Sequence, residues 1–165
     1  MPTLSPPPLK VADEVWIATA LLHRQYPNRP DFTVKEIVLR AEHESPNGAV
    51  RPGVYQHALQ HCVANRPPNP GRYRMLFATG KLTRRLFRDG DLSHPLRRGA
   101  KIVPEPEEIP GEYLPLLAWY FSDYSAQRPA RKKEDSILAL RGLGKQIWTD
   151  EDPDEHVRRL REGWE

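Results

Sequence analysis

Residues 51–101 read RPGVYQHALQHCVANRPPNPGRYRMLFATGKLTRRLFRDGDLSHPLRRGAK. Eleven Lys and Arg stand here against Asp89 and Asp91 alone, a local net of +9 in a chain whose total is only +3. The first part is a helix, expected over about Pro52–Asn65. Proline at its first turn gives up an N–H that would have no helical partner. Val54, Ala58, His61 and Cys62 share one face, while Gln56, His57 and Gln60 lie opposite. Arg66-Pro67-Pro68-Asn69-Pro70-Gly71 stops the helix, and the apolar period then changes from helical to two. Tyr73, Met75 and Phe77 alternate with Arg72, Arg74 and Leu76, Gly80 marks a turn, and Thr83–Arg88 returns. The spacing predicts a basic hairpin over Arg72–Arg88.

Upstream, two more helices are expected. Val15, Ala18 and Leu22, widened by Trp16, Ile17 and Leu21, define the first over about Ala12–Gln25. Tyr26-Pro27-Asn28-Arg29-Pro30 ends it. The second has the clearest start in the chain: Thr33 as N-cap with Glu36 three residues on is a capping box, and Phe32 with Ile37 can close a hydrophobic staple. Residues 1–11, rich in proline, form an extended lead. Three helices followed by a basic hairpin make the pattern of a winged helix-turn-helix, an α+β fold whose third helix enters the DNA major groove.

On that pattern, residues 12–126 are the DNA-binding domain. Gln56 and Gln60, one turn apart, suit adenine edges, with His57 beside them. Arg51, Arg72, Arg74, Lys81, Arg84 and Arg85 are the candidates for phosphate contacts, which set register without reading sequence. The partner expected is double-stranded operator DNA. His57 and His61 share metal-ligand spacing, but no third ligand is near and no metal or cofactor is expected. Ser93, His94 and Asp91 are too close along a proline-rich loop for triad geometry. No enzymatic activity is expected.

Beyond the hairpin the sign reverses, with five acids against Arg128 between Ile102 and Ala130. Leu114, Leu117, Phe121 and Tyr124 predict an additional helix over about 112–124, too oily and acidic for DNA and suited to the core or to a homodimer contact. Residues 127–134 form a polar linker, and 135–165 an extended, partially helical tail. Its large apolar residues cannot make a core alone and read as anchors for another protein.

That tail carries a family resemblance. Ile137–Trp148 (ILALRGLGKQIW), the acidic DEDPDE of 150–155 and VRRLREGWE of 157–165 resemble the C-terminal tails of VapB-type antitoxins. The resemblance implies that this segment wraps a PIN-domain, VapC-like ribonuclease toxin, and that the protein represses its own operon in a type II toxin–antitoxin system. It implies partner-binding roles for Ile137, Leu138, Leu140, Arg141, Leu143, Lys145, Ile147, Trp148, Val157, Leu160 and Trp164. Arg141 or Lys145 is the residue expected in the acidic active site of the toxin. The front domain departs from the family, whose DNA-binding part is a swapped hairpin or ribbon-helix-helix. The alternative is a stand-alone winged-helix regulator, or a restriction-type accessory protein, with a structural or dimerising tail.

Bulk properties narrow the classes further. The chain has 165 residues, 38% of them hydrophobic, with eighteen prolines, and its mean hydropathy is −0.70. The longest apolar run is too short for a bilayer span, and no secretory leader is legible. A single cysteine, Cys62, excludes an intrachain disulfide and suits a reducing compartment, so a cytoplasmic location is expected.

Overall fold

A computed structural model describes residues 8–68, 70–127 and Arg158. The chain divides into two units, 1–128 and 129–165. The linker from 128 on and the partner-binding residues between Ile137 and Trp164 lie outside the described residues; Arg158 is helical and exposed. Among its described residues the first unit is α+β, with four α-helices and one three-stranded antiparallel sheet.

Helix α1 (Val11–Gln25) is the axis of this unit. Most of its circumference is buried, Val15, Trp16 and Ala20 completely. It packs against α2 (Val34–Glu44), against α3 (Val54–Gln56) and against α4 (Leu114–Trp119). The capping box of α2 forms in full: the Thr33 hydroxyl accepts from Glu36 N at 3.2 Å, and Thr33 N donates to Glu36 Oε2 at 2.8 Å. Phe32 and Ile37, the residues of the expected staple, are both fully buried. Phe32 and Thr33 also make strand β1 (Phe32–Thr33), so the residue that caps α2 belongs to the sheet as well.

Helix α3 is shorter than its expected 52–65. It runs as α-helix over Val54–Gln56 and loosens into a π-helical turn over His57–His61. The loosening shows in Cys62 N, which donates to His57 O at 3.0 Å, five residues back. Strands β2 (Leu76–Ala78) and β3 (Thr83–Leu86) form the hairpin, with Ala78 opposite Arg84 and Leu76 opposite Leu86. β1 pairs with the other edge of β3, giving the order β1-β3-β2.

The hairpin is also shorter than the period predicts. Residues 72–75 run along the loop instead, where Arg74 N donates to Lys101 O at 2.8 Å. Met75 N and Leu76 N both donate to Cys62 O, which turns the two adjacent side chains inward together. That breaks the expected alternation: Leu76 is fully buried and Phe77 only half-buried.

Helix α4 (Leu114–Trp119) continues as a π-helical turn, Tyr120–Tyr124. The wider turn changes which residues face inward. Leu116, Leu117, Tyr120 and Tyr124 join the core, whereas Leu114 and Phe121, expected inside, are exposed, Phe121 by 61%. Tyr120 meets Trp16 of α1 edge-on at 5.7 Å and donates its hydroxyl to Phe87 O. The buried face of this helix takes the first of its two expected roles, packing on the core. Among the described residues no helix is long and apolar enough to cross a membrane.

Candidate nucleic-acid interface

An α-helix leaves its last four carbonyls without helical partners. In α3 the final four, Ala58 to His61, are all met by two guanidinium groups. Arg84 Nε donates to Ala58 O (3.1 Å) and its Nη2 to Leu59 O (3.0 Å). Arg97 Nη2 donates to Gln60 O (2.8 Å) and its Nη1 to His61 O (2.7 Å). Arg84 also reaches Gly80 O and Thr83 O in the hairpin turn, and Arg97 reaches Arg66 O, Pro67 O and Tyr73 O. Both side chains are completely buried. Burial, followed by repulsion from Arg66, brings the Arg84 pKa down to about 10, and burial likewise lowers that of Arg97. Both remain cations near neutrality. The negative end of the helix and its carbonyl ring stand in for a carboxylate.

This overturns the expected position of Arg84, which has no exposed surface to offer a phosphate. Arg85 is corrected for a related reason. Its fork grips Asp91 at 2.6 and 2.8 Å, and the guanidinium lies over the Phe77 ring at 4.4 Å. Burial works against that charge, but Asp91 outweighs it and raises the pKa.

Most of the remaining basic cluster is also engaged internally. Arg51 pairs with Glu14 at 3.1 Å and donates to Leu9 O. Arg74 Nε donates to Ala100 O at 3.1 Å, and Lys101 bridges Asp13 and Glu108. Arg66, half-buried, gives one bond to Lys81 O. Arg72, Lys81 and Arg98 are exposed and make no side-chain bond with described residues.

The α3 residues divide similarly. Gln56 is exposed and unengaged. Gln60 is half-buried, and its amide donates one N–H to Pro67 O. His57 is half-buried, with Nδ1 3.5 Å from Cys62 Sγ and its ring edge-on to His61 at 4.9 Å. Burial, then His61, lowers its pKa, and burial pushes the Cys62 thiol well above the usual range. Among the described residues no group of three or more His, Cys, Asp or Glu could hold a metal ion. Asp91 serves Arg85, while His94 Nδ1 accepts from Leu96 N, which makes a turn cap of the Ser93-His94 loop.

Two surface residues escaped the sequence reading. Tyr55, next to Gln56, is 48% exposed, and Arg66 reaches the hairpin turn through its bond to Lys81 O. Lys81 and Leu82 lie in that turn, the latter 50% exposed. An aromatic beside a basic loop gave a weak signal for Tyr55 and Arg66. Nothing in the sequence marks Arg97, whose partners are all backbone atoms far away in the chain. No family model, curated protein or solved structure matches the chain.

Proposed function

We propose that the first unit is a winged-helix DNA-binding module, and that the protein is an antitoxin. In this reading it represses through the winged helix and neutralises a PIN-type ribonuclease through residues 135–165. The observation that carries the DNA reading is topological. Helix, short strand, two helices and a hairpin, with sheet order β1-β3-β2, is the order a winged helix requires, and Arg84 ties the end of α3 to the β2–β3 turn. A duplex groove needs a helix and a flanking ribbon in that relation.

The contact surface is smaller than the charge cluster suggested. Gln56 is the base-reading candidate, with Tyr55 beside it, and Lys81, Arg66 and Arg72 are the phosphate candidates. Arg84 and Arg97 act one step back, fixing the end of α3 against the turn that carries Lys81. The antitoxin half of the reading rests on the resemblance of the tail.

The test is binding of the full-length chain to a duplex from its own upstream region, followed by fluorescence anisotropy. Gln56→Ala should narrow the gap between operator and random DNA, and Lys81→Glu should weaken both alike. Unchanged binding by both variants would overturn the winged-helix reading. Co-purification of a small acidic nuclease, lost on deletion of residues 135–165, tests the antitoxin half; retention without the tail would overturn it.

A further inference from the structure

A second cationic feature shares none of the residues discussed for DNA. A cavity of about 140 Å³ lies between the end of α1 and the π-helical turn after α4. His23 and Arg24 of α1, Arg29, Arg88, Trp119 and Tyr124 line it, and no Asp or Glu is among its walls. Arg29 is balanced by a fork to Glu36 at 2.7 and 3.1 Å. Arg24 and Arg88 form no ion pair with any described residue. The Arg88 guanidinium is held over the Tyr124 ring at 4.5 Å, and its Nε is buried with no hydrogen-bond partner.

His23 stays neutral in this setting, because burial and then the charges of Arg88, Arg85 and Arg29 disfavour its cation. Its Nε2 already accepts from Leu86 N at 3.4 Å. The imidazole is therefore part of the wall, and the two unpaired guanidiniums supply the attraction.

We propose that this cavity binds a phosphate dianion, either free or as the 5′-phosphate of a mononucleotide. Two unpaired guanidiniums in a carboxylate-free recess suit the tetrahedral oxygens of a phosphate, which can accept bidentate forks from arginine. A recess of that volume holds a phosphate group. A nucleoside would lie outside, against the half-exposed Trp119, where a base can stack. The site belongs to the first unit and is independent of the DNA reading, so a small ligand could bind while α3 is occupied.

The experiment is isothermal titration of the full chain with inorganic phosphate and, separately, with adenosine 5′-monophosphate. Saturable binding is expected, weakened about tenfold or more in Arg88→Gln and in Arg24→Gln, and unchanged in Arg98→Gln, which removes an exposed charge elsewhere. Arg24 is exposed and bonds to nothing described, so its variant keeps the test open if Arg88→Gln fails to fold. Tighter binding of the nucleotide identifies the mononucleotide as the source of the phosphate, and equal binding identifies the free ion. Absence of saturable binding, or equal losses in all three variants, would overturn the proposal.

Discussion

Arg84 and Arg97 divide the last four carbonyls of α3 between them, Ala58 and Leu59 to one and Gln60 and His61 to the other. One arginine comes from β3 and the other from a 3₁₀ turn beyond the hairpin (Pro95–Arg97), so two separate segments converge on one helix end. Arg84, one of the expected phosphate ligands, is therefore structural, and so is Arg97, which was not among them. They set where α3 stops and how the hairpin turn stands against it.

Replacing Arg97 with Met should destabilise the first unit by about 3 kcal/mol or more. The aliphatic volume is roughly kept, but five carbonyls lose a charge-assisted partner, and each buried orphan costs about 1–3 kcal/mol before water relieves it. Arg84→Met should behave similarly. Urea denaturation of both variants checks this, with Arg98→Met as the exposed comparison. A loss below about 0.5 kcal/mol would mean the carbonyls find water easily and the clamp is dispensable.

How far the fold was legible follows from what kind of contact made each element. Local chemistry read well: Thr33 and Glu36 cap α2 as spaced, and the apolar period of α1 marks its buried face. Contacts distant in sequence did not. The α3 carbonyls that Arg84 and Arg97 meet lie 25 to 37 residues away from them. A buried arginine and a DNA-facing arginine look alike in a list of residues. The π-helical turns of α3 and α4, local five-residue bonds that the apolar period does not encode, were invisible too, and the first of them shortened the candidate recognition helix. Of the phosphate set read from sequence, Arg72 and Lys81 remain fully unengaged.

That reduced set predicts the salt dependence of DNA binding. Each neutralised phosphate contributes about −0.9 to the slope of log K against log salt. Six contacts would give a slope of about −5, whereas Arg72, Lys81 and Arg66 together give about −3 per protomer. Anisotropy titrations across a range of potassium chloride concentrations measure it. A slope as steep as the larger value would require the buried arginines to leave their carbonyls on binding, and would refute the smaller surface.

His23 makes stability depend on pH. Its pKa is lowered from 6.5 to about 3, first by burial and then by Arg88, Arg85 and Arg29. The unfolded chain therefore takes up a proton below 6.5 that the folded one refuses. The contribution of the neutral imidazole is complete above 6.5 and is lost as pH falls towards 3. Between neutrality and pH 5 the loss amounts to about 2 kcal/mol. Asp13 and Glu14, whose pKa values burial raises, work in the opposite sense over lower pH, so the difference between wild type and His23→Gln isolates the effect. Parallel stability curves for the two proteins from pH 7 to pH 5 would show that His23 titrates normally.

Thr33 tests whether the junction of sheet and helix acts as one unit. Its hydroxyl caps α2, and its backbone N–H is held by Glu36 while the residue pairs with Thr83 of β3. Thr33→Ala removes the cap and should cost about 1 kcal/mol. Thr33→Ser keeps the capping oxygen and should cost less, the difference from wild type then being the methyl group alone. If both variants lose equally, the strand position of Thr33 matters more than its cap.

The tail separates the antitoxin reading from a merely adhesive one. If residues 137–148 lay a cation into a carboxylate-lined nuclease site, charge at Arg141 matters more than charge at Arg159, which belongs to the later basic run. In a nuclease assay with the cognate partner, Arg141→Glu should relieve inhibition by roughly tenfold or more, since it sets like charges face to face. Arg159→Ala should shift it only slightly, since it removes one charge and sets no like charges together. The Lys145→Glu variant distinguishes which of the two candidates enters the site. Equal inhibition by the wild type, Arg141→Glu and Lys145→Glu chains would leave the tail as a strap across the partner, with no residue in its active centre.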